Sequence, residues 1–227
     1  MPDNINNNDV WNKIYETTDF GNRYPSSYLI SLFFNVIKKN VKCDKIKVLD
    51  FGCSFGANSR MLKDFGCDVY GIDISSMAIQ KCIENGMEAN KFVATNILED
   101  DMMTLKDFEQ FDVIIASECL YYFIDEELKK LMIKFKDMLK KDGIIYGNYP
   151  TFNHTLYKAY ADEKPDRDGM ITVKQSGKAN EPLRVKILKC KSDIKEIFEM
   201  FDPILITRTI EEVYGDNEEI HFIGRNV

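Results

Sequence analysis

The sequence predicts an α/β fold, a doubly wound and mostly parallel sheet with helices on both faces. Three observations predict it. Short apolar runs alternate with segments of helical periodicity, the rhythm of right-handed βαβ crossovers. A strand-like run passes directly into a Gly-bearing turn and a helix at Val48–Ser59 (VLDFGCSFGANS). The tail then changes pattern, and two β-rich stretches flank Gly215-Asp216-Asn217, a hairpin signal.

The elements follow in order. The start, MPDNINNNDV, is polar and acidic with no apolar run, so it is expected to be neither a secretory signal nor a membrane anchor. From Pro25 to Lys39, apolar residues at Leu29, Ile30, Phe33, Phe34 and Ile37 have helical spacing, with Pro25 in the first turn. A strand is expected around Lys47–Phe51, then a helix from Asn58 to Phe65. A second strand, Asp68–Asp73, precedes a helix opened by Ser75 and closed by Gly86. A third strand lies near Lys91–Ala94. Phe111–Ser117 (FDVIIAS) has the near-continuous apolar pattern of a strand buried on both faces. Asp125 is expected to cap a long helix with Leu128, Leu131, Met132, Phe135 and Leu139 on one face. Asp142-Gly143 ends that helix, and Gly143–Asn148 (GIIYGN) forms the fifth strand.

Extra material follows at about residues 150–191. Ile171–Lys174 and Leu183–Ile187 alternate apolar and polar around a turn-rich QSGKANEP, which predicts an inserted β-hairpin or lid. A helix over 192–200 (SDIKEIFEM) and strands over 203–210 and 219–225 close the chain.

At 227 residues the chain has the size of one α/β domain, and 44% hydrophobic with 30% charged residues is ordinary for a soluble globular protein. A net charge of −7 argues against a nucleic-acid partner, because neutralising phosphates needs clustered Lys and Arg. Lys129, Lys130, Lys134, Lys136, Lys140 and Lys141 recur among apolar positions and read as a solvated helix face. Cys43, Cys53, Cys67, Cys82, Cys119 and Cys190 include no C-x-x-C pair, which argues against a zinc site. A disulfide framework is equally unexpected in a chain with a full core, and a reducing cytoplasm fits. Oligomeric state is not readable.

The glycine turn and the second strand together carry the chemistry. Small residues at Gly52, Ser54 and Gly56 let backbone approach a ligand closely. About twenty residues on, Asp73 ends the neighbouring strand, where a carboxylate can accept both hydroxyl protons of a ribose. A dinucleotide fingerprint would want small residues, mostly Gly, at Gly52, Ser54 and Ala57, and Gly-Ser-Ala is a poor match that weighs against a nicotinamide dehydrogenase. An acid followed by G-x-G-x-G fits better: Asp50, Gly52, Ser54 and Gly56 match with one Gly-to-Ser change.

That motif resembles the first motif of class I S-adenosylmethionine (SAM)-dependent methyltransferases of small-molecule type, and the resemblance extends over roughly residues 46–225. It implies a seven-stranded, Rossmann-like sheet finished by an antiparallel carboxy-terminal hairpin. Residues 1–45 would be amino-terminal cap helices, and residues 46–227 the SAM-binding domain with a substrate lid at about 150–191. The resemblance implies cofactor contacts from Asp50, Gly52, Cys53, Ser54, Gly56, Asp73 and Ile74. Asn96 would stand in the place of an adenine-binding acid, with Ile97 beside it. Ser117, next to Glu118, would lie near the methionine part. Tyr15 and Arg23 belong to the amino-terminal cap, where Arg23 pairs with the cofactor carboxylate and Tyr15 and Tyr24 close over the sulfonium.

The resemblance implies SAM as cofactor, S-adenosylhomocysteine (SAH) as product and a small polar acceptor, first an oxygen of a sugar, sugar nucleotide or related intermediate. N- or carboxylate methylation, or a SAM-binding partner subunit without turnover, are the alternatives. No N-P-P-Y or D-P-P-Y signature is present, and no magnesium-type acid set, so a metal-free site is expected. An oxygen acceptor needs a base. His154, just past the fifth strand, is the candidate, with Tyr121 and Tyr122 as pocket walls or hydrogen-bond donors and Tyr24 also on the substrate side. His221, in the last strand, reads as structural.

Overall fold

A strand with neighbours on both edges and helices on both faces has no polar side, and the middle strands here are apolar for that reason. In the computed structural model, which describes residues 7–17, 24–99, 110–174, 182–212 and 216–227, β1 (Lys47–Phe51) lies between β2 (Asp68–Asp73) and β4 (Phe111–Ala116), both parallel to it. With β3 (Phe92–Ala94), β5 (Leu139–Pro150), β8 (Asp202–Glu211) and β9 (Asn217–Arg225), the main sheet among the described residues has seven strands in the order β3-β2-β1-β4-β5-β9-β8. The first five are parallel, and β9 runs antiparallel to both β5 and β8. This is the architecture the sequence predicts.

Alternate residues of each strand enter opposite layers. Leu49, Ile114 and Ile145 pack with Leu131 and Phe135 of α6 (Asp125–Met138) on one face. Val48, Val113 and Ile144 pack with Leu62 of α4 (Ala57–Asp64) and Ile79 of α5 (Ser76–Glu84) on the other. The strand order reverses between β1 and β4. A crevice therefore opens beyond the carboxyl ends of those two strands, where open α/β sheets bind ligands.

Several boundaries differ from the expectation. The first helix of the sheet domain is α2 (Ser27–Leu32), capped by Ser26, whose Oγ accepts Leu29 N–H at 3.4 Å, so Pro25 precedes the cap. It continues as a wider π turn over Phe33–Ile37 before α3 (Lys38–Asn40), and Phe33 and Ile37 are both fully buried across that turn. Ile124, not Asp125, occupies the cap of α6. Glu127 accepts Ile124 N–H at 3.0 Å, and Asp125 pairs instead with Lys186 at 2.7 Å. The same helix stops at Met138 because Asn226 Nδ2 donates to the carbonyls of Lys136, Leu139 and Lys140. A distant side chain thus satisfies the helix end that Asp142-Gly143 was expected to supply.

In the insertion, β6 (Ile171–Lys174) and β7 (Pro182–Val185) form the expected antiparallel hairpin, and its turn over 175–181 lies outside the described residues. Ile171, Val173, Leu183 and Val185 join the core, and Lys186 N–H donates to Tyr121 O at 2.7 Å. The final helix is α7 (Lys191–Ile197). Among the described residues no helix is long and apolar enough to cross a membrane, and the six cysteines are unbridged.

Candidate active site

A cavity of about 280 Å³ fills the crevice at the carboxyl ends of β1, β2 and β4. Its floor is the turn after β1. Gly52, Ser54 and Gly56 all take left-handed backbone conformations, with φ of 71°, 49° and 77°. Gly52 and Cys53 N–H both donate to Ile72 O, at 2.8 and 3.1 Å, which straps the turn to β2. Ser54 is the only one of the three with a side chain, so it carries strain of order 1–2 kcal/mol that Gly would not.

Asp73 is held from two sides. Its Oδ2 accepts Ser54 N–H at 2.9 Å and its Oδ1 accepts Ser75 N–H at 3.0 Å. Burial raises its pKa to about 6, against the lowering effect of those bonds. The carboxylate lines the cavity beside Ser54, Ile72 and Ile74. Asn96 and Ile97 line it further along. Asn96 Oδ1 accepts Leu98 N–H at 3.2 Å, so this side chain partly closes its own turn.

Asp50 and Gly56, expected as direct contacts, do not reach the cavity. Asp50 is fully buried behind the turn, accepting Ser59 Oγ–H at 2.5 Å, and burial lifts its pKa to about 6. Gly56 caps α4, and a β-carbon there would sit 2.4 Å from Cys82 Sγ. Gly52 does line the cavity, yet its missing side chain answers to the protein: a β-carbon would lie 2.7 Å from Cys119 Cβ. These residues shape the turn from behind.

Helix α1 (Asn7–Thr17) covers the cavity. Trp11 and Tyr15 line it, Ile14 is buried, and Ser75 Oγ–H donates to Asn12 Oδ1. The Tyr15 ring lies 5.1 Å from Phe55, and Trp11 meets Tyr122 edge-on at 4.9 Å. Burial and then the Asp73 charge push the Tyr15 phenol far up, so it stays protonated. Tyr24 is not part of the site: it stands 82% exposed at the surface. Arg23 lies outside the described residues.

The other half of the cavity has aromatic walls. Tyr121 and Tyr122 line it, the insertion contributes Pro150, His154, Leu156 and Tyr157, and Ser117 also lines the cavity. Among the described residues the β6–β7 hairpin gives no lining residue; Lys186, just after it, holds the backbone of Tyr121. His154 Nδ1 accepts Leu156 N–H at 3.2 Å, and burial lowers the pKa of the ring. A neutral imidazole with Nδ1 accepting carries its proton on Nε2. Its remaining nitrogen is a donor, which is the wrong polarity for the base role expected of it.

Two acids complete this wall. Glu118, at φ 58°, and Glu219 both line the cavity. Asn148 joins them: its Oδ1 accepts Glu118 N–H at 2.8 Å and its Nδ2 donates to Glu219 Oε2 at 2.8 Å. Glu219 and Tyr157 were not singled out by the sequence. The signal for Glu219 is the hairpin register, which sets it opposite Pro150, next to Asn148 on β5. His221 is structural, bound by Tyr146 Oη at 3.0 Å and Thr209 Oγ1 at 2.6 Å. Among the described residues no three His, Cys, Asp or Glu side chains are grouped to hold a metal ion.

Known proteins resemble this chain in sequence and fold. A family model described as a methyltransferase domain matches residues 49–147. The chain is 35% identical over 148 residues to the ubiquinone biosynthesis O-methyltransferase of Haemophilus ducreyi, a match covering 62% of this chain and 59% of that protein. It is also 35% identical over 119 residues to an uncharacterized methyltransferase of Schizosaccharomyces pombe, covering 52% of this chain and 81% of that one. A SAM-dependent methyltransferase from Methanosarcina mazei has the same fold, with a TM-score of 0.65 at 16% identity over 85% of this chain and 97% of its own. The chain spans 59% and 49% of the two ubiquinone biosynthesis O-methyltransferases it matches first. A relative at 35% identity covered over most of its length, with a family model on the segment that builds the cavity, is decisive: the chain belongs to the class I S-adenosylmethionine-dependent methyltransferase family.

Proposed function

We propose that the protein transfers a methyl group from SAM to a hydroxyl of a small acceptor. The observation that carries this reading is the division of one cavity into two halves. One half has Asp73, Ser54, Ile74 and Ile97; the other has aromatic walls with His154 and two carboxylates. The first half suits an adenosyl group, since a pre-oriented buried carboxylate can take ribose hydroxyls while apolar side chains flank a base. SAM, when bound, supplies an electrophilic methyl carbon on a cationic sulfonium. The residues of the chain align, exclude water and handle the proton. Trp11 and Tyr15 of α1 cover the cavity, and Ser117 lines it just after β4.

The acceptor half narrows the substrate. Among the described residues no Lys or Arg lines the cavity, which favours an unphosphorylated acceptor over a sugar nucleotide. A compact, unphosphorylated acceptor such as a sugar or a phenol suits rings of Tyr122 and Tyr157 together with hydrogen bonds from His154 Nε2–H. Burial keeps the Tyr122 phenol protonated, a wall and a donor. The relatives named O-methyltransferases support an oxygen acceptor. The test is SAH release from SAM with a panel of catechol, methyl α-glucoside and ethanolamine. Faster release with a hydroxyl compound supports the reading; turnover with the amine alone moves it to nitrogen. SAH binding without any turnover across a wider acceptor panel favours a non-catalytic SAM-binding subunit.

A further inference from the structure

We propose that Glu219 is the catalytic base, taking the proton of the acceptor hydroxyl on Oε1, with Glu118 and Asn148 as positioning residues. This rests on the hydroxyl-acceptor reading above. Four observations carry it. Glu219 lines the acceptor half of the cavity, yet its side chain is only 16% exposed. Its Oε2 is fixed by Asn148 Nδ2, while Oε1 has no donor among the described residues. Asn148, itself 1% exposed, uses its other end to hold the backbone of Glu118, so one amide sets the places of both acids. His154, on the same wall, presents a donor.

Two carboxylates sharing one water-poor wall resist full ionisation. The titratable groups facing Glu219 are Glu118 after β4, Tyr121, Tyr146 on β5, Tyr157 in the insertion, Glu211 on β8, Tyr28 from α2 and His221 beside it on β9. The phenols are held protonated by burial and His221 is pushed down to about 4, so these groups are neutral at pH 7. Burial first, and then repulsion from Glu118, lifts Glu219 to about 7. A carboxylate so placed is half ionised at neutral pH and basic enough to remove a proton as charge leaves the acceptor oxygen. In the step, an oxygen lone pair forms the bond to the methyl carbon. The carbon–sulfur bond breaks with its electron pair retained on sulfur, and the hydroxyl proton passes to Glu219 Oε1.

The test uses Glu219→Gln and Glu118→Gln in the full chain. In protein labelled with 13C at Glu carboxyl carbons and saturated with SAH, one resonance absent from Glu219→Gln should titrate near pH 7. Its midpoint should fall in Glu118→Gln. A midpoint in the ordinary carboxylate range, about 4.3, overturns the proposal. With the hydroxyl compound that the wild type methylates fastest, Glu219→Gln should lower kcat roughly 10²–10⁴-fold and remove the acidic limb of its pH profile. SAH affinity by calorimetry should stay within about twofold. Activity within threefold of wild type, or an unchanged acidic limb, also overturns it. His154→Ala should keep that limb. Wild-type protein that fails to bind SAH would defeat the methyl-transfer reading instead, and the carboxyl titration separates the two failures.

Discussion

Replacing Asp73 with Ala removes the carboxylate proposed to hold the cofactor ribose. In the structure the carboxylate accepts Ser54 N–H at 2.9 Å and Ser75 N–H at 3.0 Å, and its remaining lone pairs face the cavity. A hydrogen bond to a charged partner contributes about 1.5–3 kcal/mol, so loss of the ribose contact should weaken SAH binding about ten- to a hundredfold. The turn should also loosen, because the buried Ser75 N–H loses its acceptor at about 1–3 kcal/mol and the half-buried Ser54 N–H loses its own at less. Part of that is offset, since the wild-type carboxylate is itself costly to ionise there. Calorimetric titration with SAH, alongside a circular-dichroism melt, separates the effects. A folded variant whose dissociation constant lies within twofold of wild type would refute the role assigned to Asp73.

Two more substitutions test the scaffold of the turn. Gly52→Ala should destabilise the fold by several kcal/mol, from strain at φ 71° plus the approach to Cys119 Cβ. Cys119→Gly should rescue part of that loss in a double-mutant cycle read by urea denaturation, and strict additivity of the two changes would remove the contact as the cause. Asp50 has a folded pKa of about 6 against an ordinary 3.8. Native protein therefore holds its proton more tightly than the unfolded chain, and the stability this gives is complete below pH 3.8 and lost as pH rises through about 6. Asp50→Asn keeps an acceptor for Ser59 without the charge, so its melting temperature should gain on wild type by up to about 3 kcal/mol equivalent between pH 4 and pH 8. An identical difference at both pH values would contradict the burial of an ionised Asp50.

What the sequence makes legible is local. The turn from β1 into α4 and the acid ending β2 lie within one βαβ unit, and their places follow from spacing alone. The strand runs are equally plain, because burial on both faces leaves β4 apolar at every position but Asp112. Contacts across the sheet are not legible. Asn226 ending α6 and Lys186 pairing with Asp125 depend on where distant segments land. Glu219 and Glu118 meet on one wall only because β9 folds back against β5 in a specific register. His154 follows the fifth strand and lines the cavity, but its tautomer depends on the backbone of Leu156, which no pattern encodes. By spacing, Gly52 and Gly56 make room for a ligand, whereas the closest atoms belong to Cys119 and Cys82. A small residue in a turn shows that something is near, without telling which partner.

A crystal structure of the SAH complex tests the central claim most directly. Both ribose hydroxyls should lie within about 3 Å of the Asp73 carboxylate oxygens, a normal charged hydrogen bond. The adenine should lie beside Ile74 and Ile97, and the sulfur should face the half of the cavity walled by Tyr122, Tyr157 and Glu219. SAH bound elsewhere, or in the cavity with its ribose away from Asp73, would contradict the account.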